Sequence, residues 1–199
     1  ARPNASNSIY ALLDEPLVGP MIDELPAETL QAIVTGCAEV ERDLRGTIAN
    51  SRDAVSVDEM AFSARLMGYA ARKVQASQRM RGDLATLPKG DRGEKAVELL
   101  EGNIEALRSL DAELVQLNAT FREVWLCRAR QAEMRVTLDH LQGVRERFAL
   151  AQAWLQARLA ELRDGQRVNY DLAGYSKSAE AYEILGQSFW KRMQSVGVE

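Results

Sequence analysis

Phe121–Leu138, FREVWLCRARQAEMRVTL, is the stretch on which the fold turns. A long helical pattern runs into it and another runs out of it. Within it stand a tryptophan, a cysteine and four arginines, and the stretch reads as the corner between two antiparallel helices. Upstream, Val97, Leu100, Ile104, Leu107, Leu114, Phe121 and Trp125 keep a near-heptad register, with Leu110, Leu117 and Val124 as a neighbouring row. So wide an apolar stripe suits a helix that meets two partners in a bundle. Downstream, Met134, Leu138, Leu141, Val144, Phe148, Ala151, Leu155, Leu159 and Leu162 recur at helical spacing until Asp164-Gly165, where a glycine ends the run.

Two further helices precede the corner. Pro26 opens the first, in the first turn, where its missing N–H costs nothing; Leu30, Ile33, Val34, Cys37, Val40, Leu44 and Ile48 then share a face to about Ser51. Ser56-Val57-Asp58-Glu59 reads as a capping box for the second. Val57, Met60, Ala64, Met67, Ala71, Val74, Met80, Leu84 and Leu87 follow, the methionines as gap-filling core and Gly68 as a point of close helix approach, before Pro88-Lys89-Gly90 breaks the pattern. Asp91-Arg92-Gly93-Glu94 resembles another capping box. No segment alternates with period two. The expected fold is all-α: an antiparallel bundle of three to four long helices over residues 26–165, with a short opening segment or linker at 1–25. Residues 166–199 form a loop and a C-terminal docking helix on which Ala181, Tyr182, Leu185, Phe189 and Met193 share a face.

Composition agrees with a globular domain. The 199 residues are 46% hydrophobic and 27% charged, with a net charge of −4 and acids and bases interspersed, as on solvated helix surfaces. That balance gives no footprint for nucleic acid, and no apolar run approaches the ~20 residues of a membrane span, so neither partner is expected. Cys37 and Cys127 fall on apolar helical patterns and read as two buried free thiols, which points to a reducing, cytoplasmic compartment.

Chemistry is sparse. His140 is the one histidine, with no second histidine or cysteine at a ligand interval, and the phosphate-loop, zinc-protease and nucleophile-elbow strings are lacking. No catalytic residue, cofactor or metal ligand is assigned. Trp125, Arg128, Arg130, Arg135, Tyr175 and Trp190 are the candidate interface residues: the arginines could dock an acidic surface or satisfy the last carbonyls of the third helix. A buried Trp125 would lose ~3 kcal/mol or more on truncation to alanine.

The run Phe121 to Arg130, followed by Leu138, resembles the C-terminal end of bacterial family-20 glycoside hydrolases, the β-N-acetylhexosaminidase-like enzymes. Trp125, Leu126, Arg128 and Arg130 match that pattern; Ala129 and Gln131-Ala132-Glu133 stand where the family has Asn and Pro-Gly-Gly. SIYALLDEPLVGP, from Ser8 to Pro20, is similar to the exit from the family's barrel. The resemblance implies a non-catalytic accessory domain, with the missing catalytic domain of the same polypeptide or another subunit as its partner. The alternative, from another class, is a stand-alone helical sensor or scaffold module that binds protein partners.

Overall fold

Leu100, Ile104, Leu107, Leu110, Leu114, Leu117 and Val124 lie along one side of a single helix and are all buried, so the wide stripe does meet two neighbours. The computed structural model describes residues 8–88, 93–129 and 131–176. Within them the order is α1 (Ser8–Leu13), a 3-10 turn (Pro20–Asp23), α2 (Ala27–Thr47), a 3-10 turn (Ile48–Asn50), α3 (Ala54–Thr86), α4 (Glu94–Leu126) and α5 (Gln131–Arg163). Residues 172–176 add a helical turn, and among the described residues there is no strand. The fold is all-α. Three of its helices have 33 residues each, which at 1.5 Å per residue makes them ~50 Å long.

The helices run antiparallel in sequence order. Tyr69 of α3 donates its hydroxyl hydrogen bond to the Leu110 carbonyl of α4 at 3.1 Å, and Phe62 meets Phe121 at 6.0 Å between ring centroids. Between α4 and α5, Arg145 pairs with Asp111 and Arg163 with Glu101. The main core joins α3, α4 and α5 to the opening segment and to residues 168–175. Leu12, Leu13 and Leu17 from one end of the chain and Val168, Tyr170 and Tyr175 from the other are buried in it. Thus the place of a fourth core helix is taken by α1, which touches both α3 and α5.

α2 is a flank rather than a core member. Among the long helices it packs on α3 alone, and of its seven-residue apolar face only Leu30 is fully buried. Gly68 permits the close approach expected of it, since a Cβ there would lie 3.3 Å from Cβ of Cys37.

Several local expectations need correction. α3 starts at Ala54, not Ser56: its N-cap is Asp53, whose carboxylate accepts from the Ser56 N–H at 3.0 Å, so Ser56 is the third residue of the helix. Pro26 is itself the N-cap of α2, one position before the first turn. Met60 and Met67 are exposed rather than core, while Met80 is fully buried. Cys37 is half-buried and Cys127 exposed; both are free thiols. Residues 166–176, read as loop, carry three buried side chains and the helical turn. Lys89 to Arg92, and the C-terminal helix expected beyond residue 176, lie outside the described residues.

Candidate functional site

The corner is tight. α4 ends at Leu126, and the N–H groups of Arg128 and Ala129 both reach the Trp125 carbonyl, at 3.1 and 2.9 Å, before α5 begins at Gln131. Backbone bonds of this kind use up the last carbonyls of α4, so the turn needs no glycine. Cys127 adds its thiol, which donates to the Glu123 carbonyl.

The corner side chains divide into those with a partner in this chain and those facing solvent. Arg128 reaches back to the start of α3: its guanidinium donates to Asp53 at 3.2 Å and to the Ser56 hydroxyl, and it forms an ion pair with Glu59 at 3.0 Å. It therefore ties the end of α4 to the N-terminus of α3. Hydrogen bonds from Ser56, with Arg128 behind them, hold the Asp53 carboxyl below the usual carboxylate range. Trp125 is half-buried and packs its ring at a 45° tilt against Phe121, 5.3 Å between centroids, and Phe121 continues the ring contact to Phe62. Arg135 is exposed, with a long 4.0 Å pairing to Asp139, and Leu126 remains 54% exposed beside the turn. Tyr175 stands apart from this group, wholly buried beside α1. Arg130 and Trp190 lie outside the described residues. The structure thus brings Trp125 and Arg128 together, places Arg135 across the turn and removes Tyr175 to the core.

A second cluster, unforeseen from the sequence, surrounds Tyr175. The Lys73 ammonium is buried and donates to the carbonyls of Ala11, at 3.1 Å, and Asp14. Arg147 of α5 donates to the Leu13 carbonyl. The last carbonyls of α1 are thereby capped by cations, which also suits the sign of its helix dipole. Glu15, buried just beyond α1, accepts the N–H groups of Leu17 at 2.7 Å and Val18 at 2.6 Å on one oxygen and the Tyr175 hydroxyl on the other. Trp154 meets the Tyr175 ring edge-on at 5.6 Å, and Arg158 lies over Trp154.

Burial dominates the electrostatics here. It raises the Glu15 carboxyl above its usual range, although the Tyr175 hydroxyl, the two N–H groups and Lys73 pull the other way. It lowers Lys73 to about 8, against the pull of Asp14 and Glu15. It also pushes the Tyr175 hydroxyl well up, helped by the neighbouring carboxylate. One sequence signal bears on the cluster: Lys73 interrupts the row Leu66, Ala70, Lys73, Ser77, Met80, Leu84, whose apolar members lie in or against the core. A lysine on such a row needs buried acceptors.

Where α2 and α4 flank α3 without meeting, an open groove of about 920 Å³ is lined by Gln31, Arg72, Gln75, Arg79, Ser109 and Glu113 among others. Among the described residues no group of three or more His, Cys, Asp or Glu is placed to hold a metal ion, and no helix is long and apolar enough to cross a membrane. The arrangement defines a class, an all-α module with a buried polar lock at its centre and an exposed corner at one end. No family model, no curated protein and no solved structure matches this chain.

Proposed function

We propose that this chain is a non-catalytic helical module that joins protein surfaces through its corner. In the form that the Phe121–Leu138 stretch implies, it is the C-terminal accessory domain of a glycoside hydrolase acting on N-acetylhexosaminides, bracing the catalytic domain or another subunit. The observation that carries the docking role is Leu126: a leucine 54% exposed at the end of α4, with Arg135 exposed across the turn. Arginine is enriched at protein-binding hot spots, and an exposed leucine offers apolar surface that a partner would bury. Its two free thiols suit a reducing, cytoplasmic setting.

Reading the gene upstream of Ala1 tests the hydrolase form. It expects strand–helix repeats of a barrel there, and finding none would sink it. The isolated chain should give no turnover of a chromogenic N-acetylglucosaminide. Leu126→Asp should weaken association with the upstream domain without lowering the melting temperature of the chain.

A stand-alone scaffold is the second reading, and two observations support it. Segments near both ends of the described chain pack into one core, with Leu17 and Tyr175 both at 0% exposure. The groove along α3 offers Arg79 and Ser109 to a partner helix. Under this reading the reading frame before Ala1 lacks a barrel and the groove variant Arg79→Glu loses a partner that Leu126→Asp retains.

A further inference from the structure

α3 and α5 both pack on α4, and among the described residues they do not pack on each other, so the three long helices leave a valley walled by α3 and α5. Residues 8–25 lie in it. Leu12, Leu13 and Leu17 are buried in the main core with side chains of all three helices, and Ile22 is buried further along. Lys73 of α3 donates to the carbonyls of Ala11, at 3.1 Å, and Asp14; Gln78 of α3 donates to those of Ile22, at 2.7 Å, and Leu25, at 2.8 Å; Arg147 of α5 donates to that of Leu13. Arg81 and the Tyr175 hydroxyl hold the carboxylates of Asp23 and Glu15. In these bonds every donor belongs to the bundle and every acceptor to the segment. Five of the acceptors are backbone carbonyls. The segment has little order of its own, with a helix of six residues and a 3-10 turn of four, against the ~12–15 residues at which an isolated helix becomes marginal in water.

We propose that the valley between α3 and α5 is a binding groove for short, leucine-rich acidic segments, filled in this structure by residues 8–25, and that a peptide of the same chemistry can take their place. That chemistry is set out in Leu12-Leu13-Asp14-Glu15-Pro16-Leu17. Adjacent leucines end a helical turn whose last carbonyls meet Lys73 and Arg147, a carboxylate two residues on meets Tyr175, and a further leucine follows two residues later. Main-chain carbonyls are common to any peptide and supply affinity, while the buried leucines and the carboxylate supply selectivity, as when an amphipathic turn is laid in a groove. The segment is also separable. It leaves the valley at Asp23 and Glu24, both exposed, ahead of the N-cap Pro26, so one crossing joins it to α2. The proposal is independent of the docking role given to the corner and of the groove between α2 and α4.

The test starts from the full chain with a protease recognition site inserted between Asp23 and Glu24 and cleaved under native conditions. The probe is a fluorescent peptide of residues 8–23. The cleaved chain should keep its helical signal, and at equilibrium the labelled peptide should replace the resident piece saturably. The peptide carrying Leu13→Asp and Leu17→Asp should bind at least tenfold more weakly. Loss of the helical signal on cleavage, failure of the peptide to enter, or equal binding of the two peptides would overturn the proposal. If the insertion itself unfolds the chain, native-state hydrogen exchange of the unaltered protein decides. The N–H groups of Leu17, Val18 and Ile22 should then open together at least a hundredfold more often than those in the middle of α4, whereas one common opening frequency for all of them refutes a separable segment.

Discussion

The Tyr175 hydroxyl donates to Glu15 across 160 positions of sequence, and that bond closes the domain. Glu15 belongs to the turn after α1, and Tyr175 to the helical turn after α5, so each end of the described chain holds the other in the core. Among the described residues Glu15 is otherwise satisfied by the backbone of its own turn, with Lys73 as its counter-charge. Tyr175→Phe preserves the ring contact with Trp154 and leaves one buried carboxylate oxygen without its donor. The expected cost is ~1–3 kcal/mol in urea unfolding. A loss below ~0.5 kcal/mol would mean that Glu15 finds water when the hydroxyl is removed.

Lys73 should give the domain an alkaline signature. Its folded value of about 8 lies below the ordinary 10.5, so between these two the unfolded chain binds more protons than the folded one. Stability therefore rises as pH climbs from 8 towards 10.5, and below 8 the cost of burying the charge is fully present. A difference of this size corresponds to about 3 kcal/mol as an upper bound. The measurement is the unfolding free energy of the native chain minus that of Lys73→Met over pH 7–10.5. Lys73→Met should flatten the slope; an unchanged slope would show that another group titrates.

The corner stretch and the α5 register could be read from residue types because local spacing alone determines them. Met134, Leu138, Leu141, Val144, Phe148, Ala151, Leu155, Leu159 and Leu162 were expected to face inward, and all but the half-buried Leu138 are buried. Periodicity identifies an apolar face but not how many neighbours it meets. For that reason the same argument placed Val40, Met60 and Met67 inside, where they are not: α2 has α3 on one side and nothing among the described residues on the other. Nor could spacing find the Lys73 cluster, whose acceptors on Ala11 and Asp14 lie 62 and 59 residues away and are backbone carbonyls that carry no sequence signature. Arg128 was ambiguous for a similar reason, since its partners Asp53 and Glu59 sit on the far end of another helix.

Half-burial revises the expectation for Trp125. The Trp125 ring packs at a tilt against Phe121 and the side chain is half-buried, so truncation removes that ring contact and part of a full burial. Trp125→Ala should cost ~1–2 kcal/mol, below the ~3–5 kcal/mol of a fully buried large aromatic. Chemical denaturation of the full chain measures it. A loss above ~3 kcal/mol would show that the ring contributes as a fully buried aromatic does.

Two glycine substitutions should move stability in opposite directions. Gly165 follows α5 at φ +72°, with its N–H on the Leu162 carbonyl at 3.1 Å and that of Gln166 on the Glu161 carbonyl at 2.9 Å. A Cβ there would meet nothing within 4 Å, so the penalty of Gly165→Ala is purely conformational, ~1 kcal/mol. Gly102 lies inside α4, is exposed and likewise has nothing within 4 Å of a built Cβ. Alanine there restricts the unfolded chain and extends a favourable helix former, so Gly102→Ala should gain ~0.5–1 kcal/mol. Melting temperatures of the two variants against the parent give the comparison. Loss of stability in Gly102→Ala would show that the outer face of α4 packs against something, which would put a partner on that side of the module.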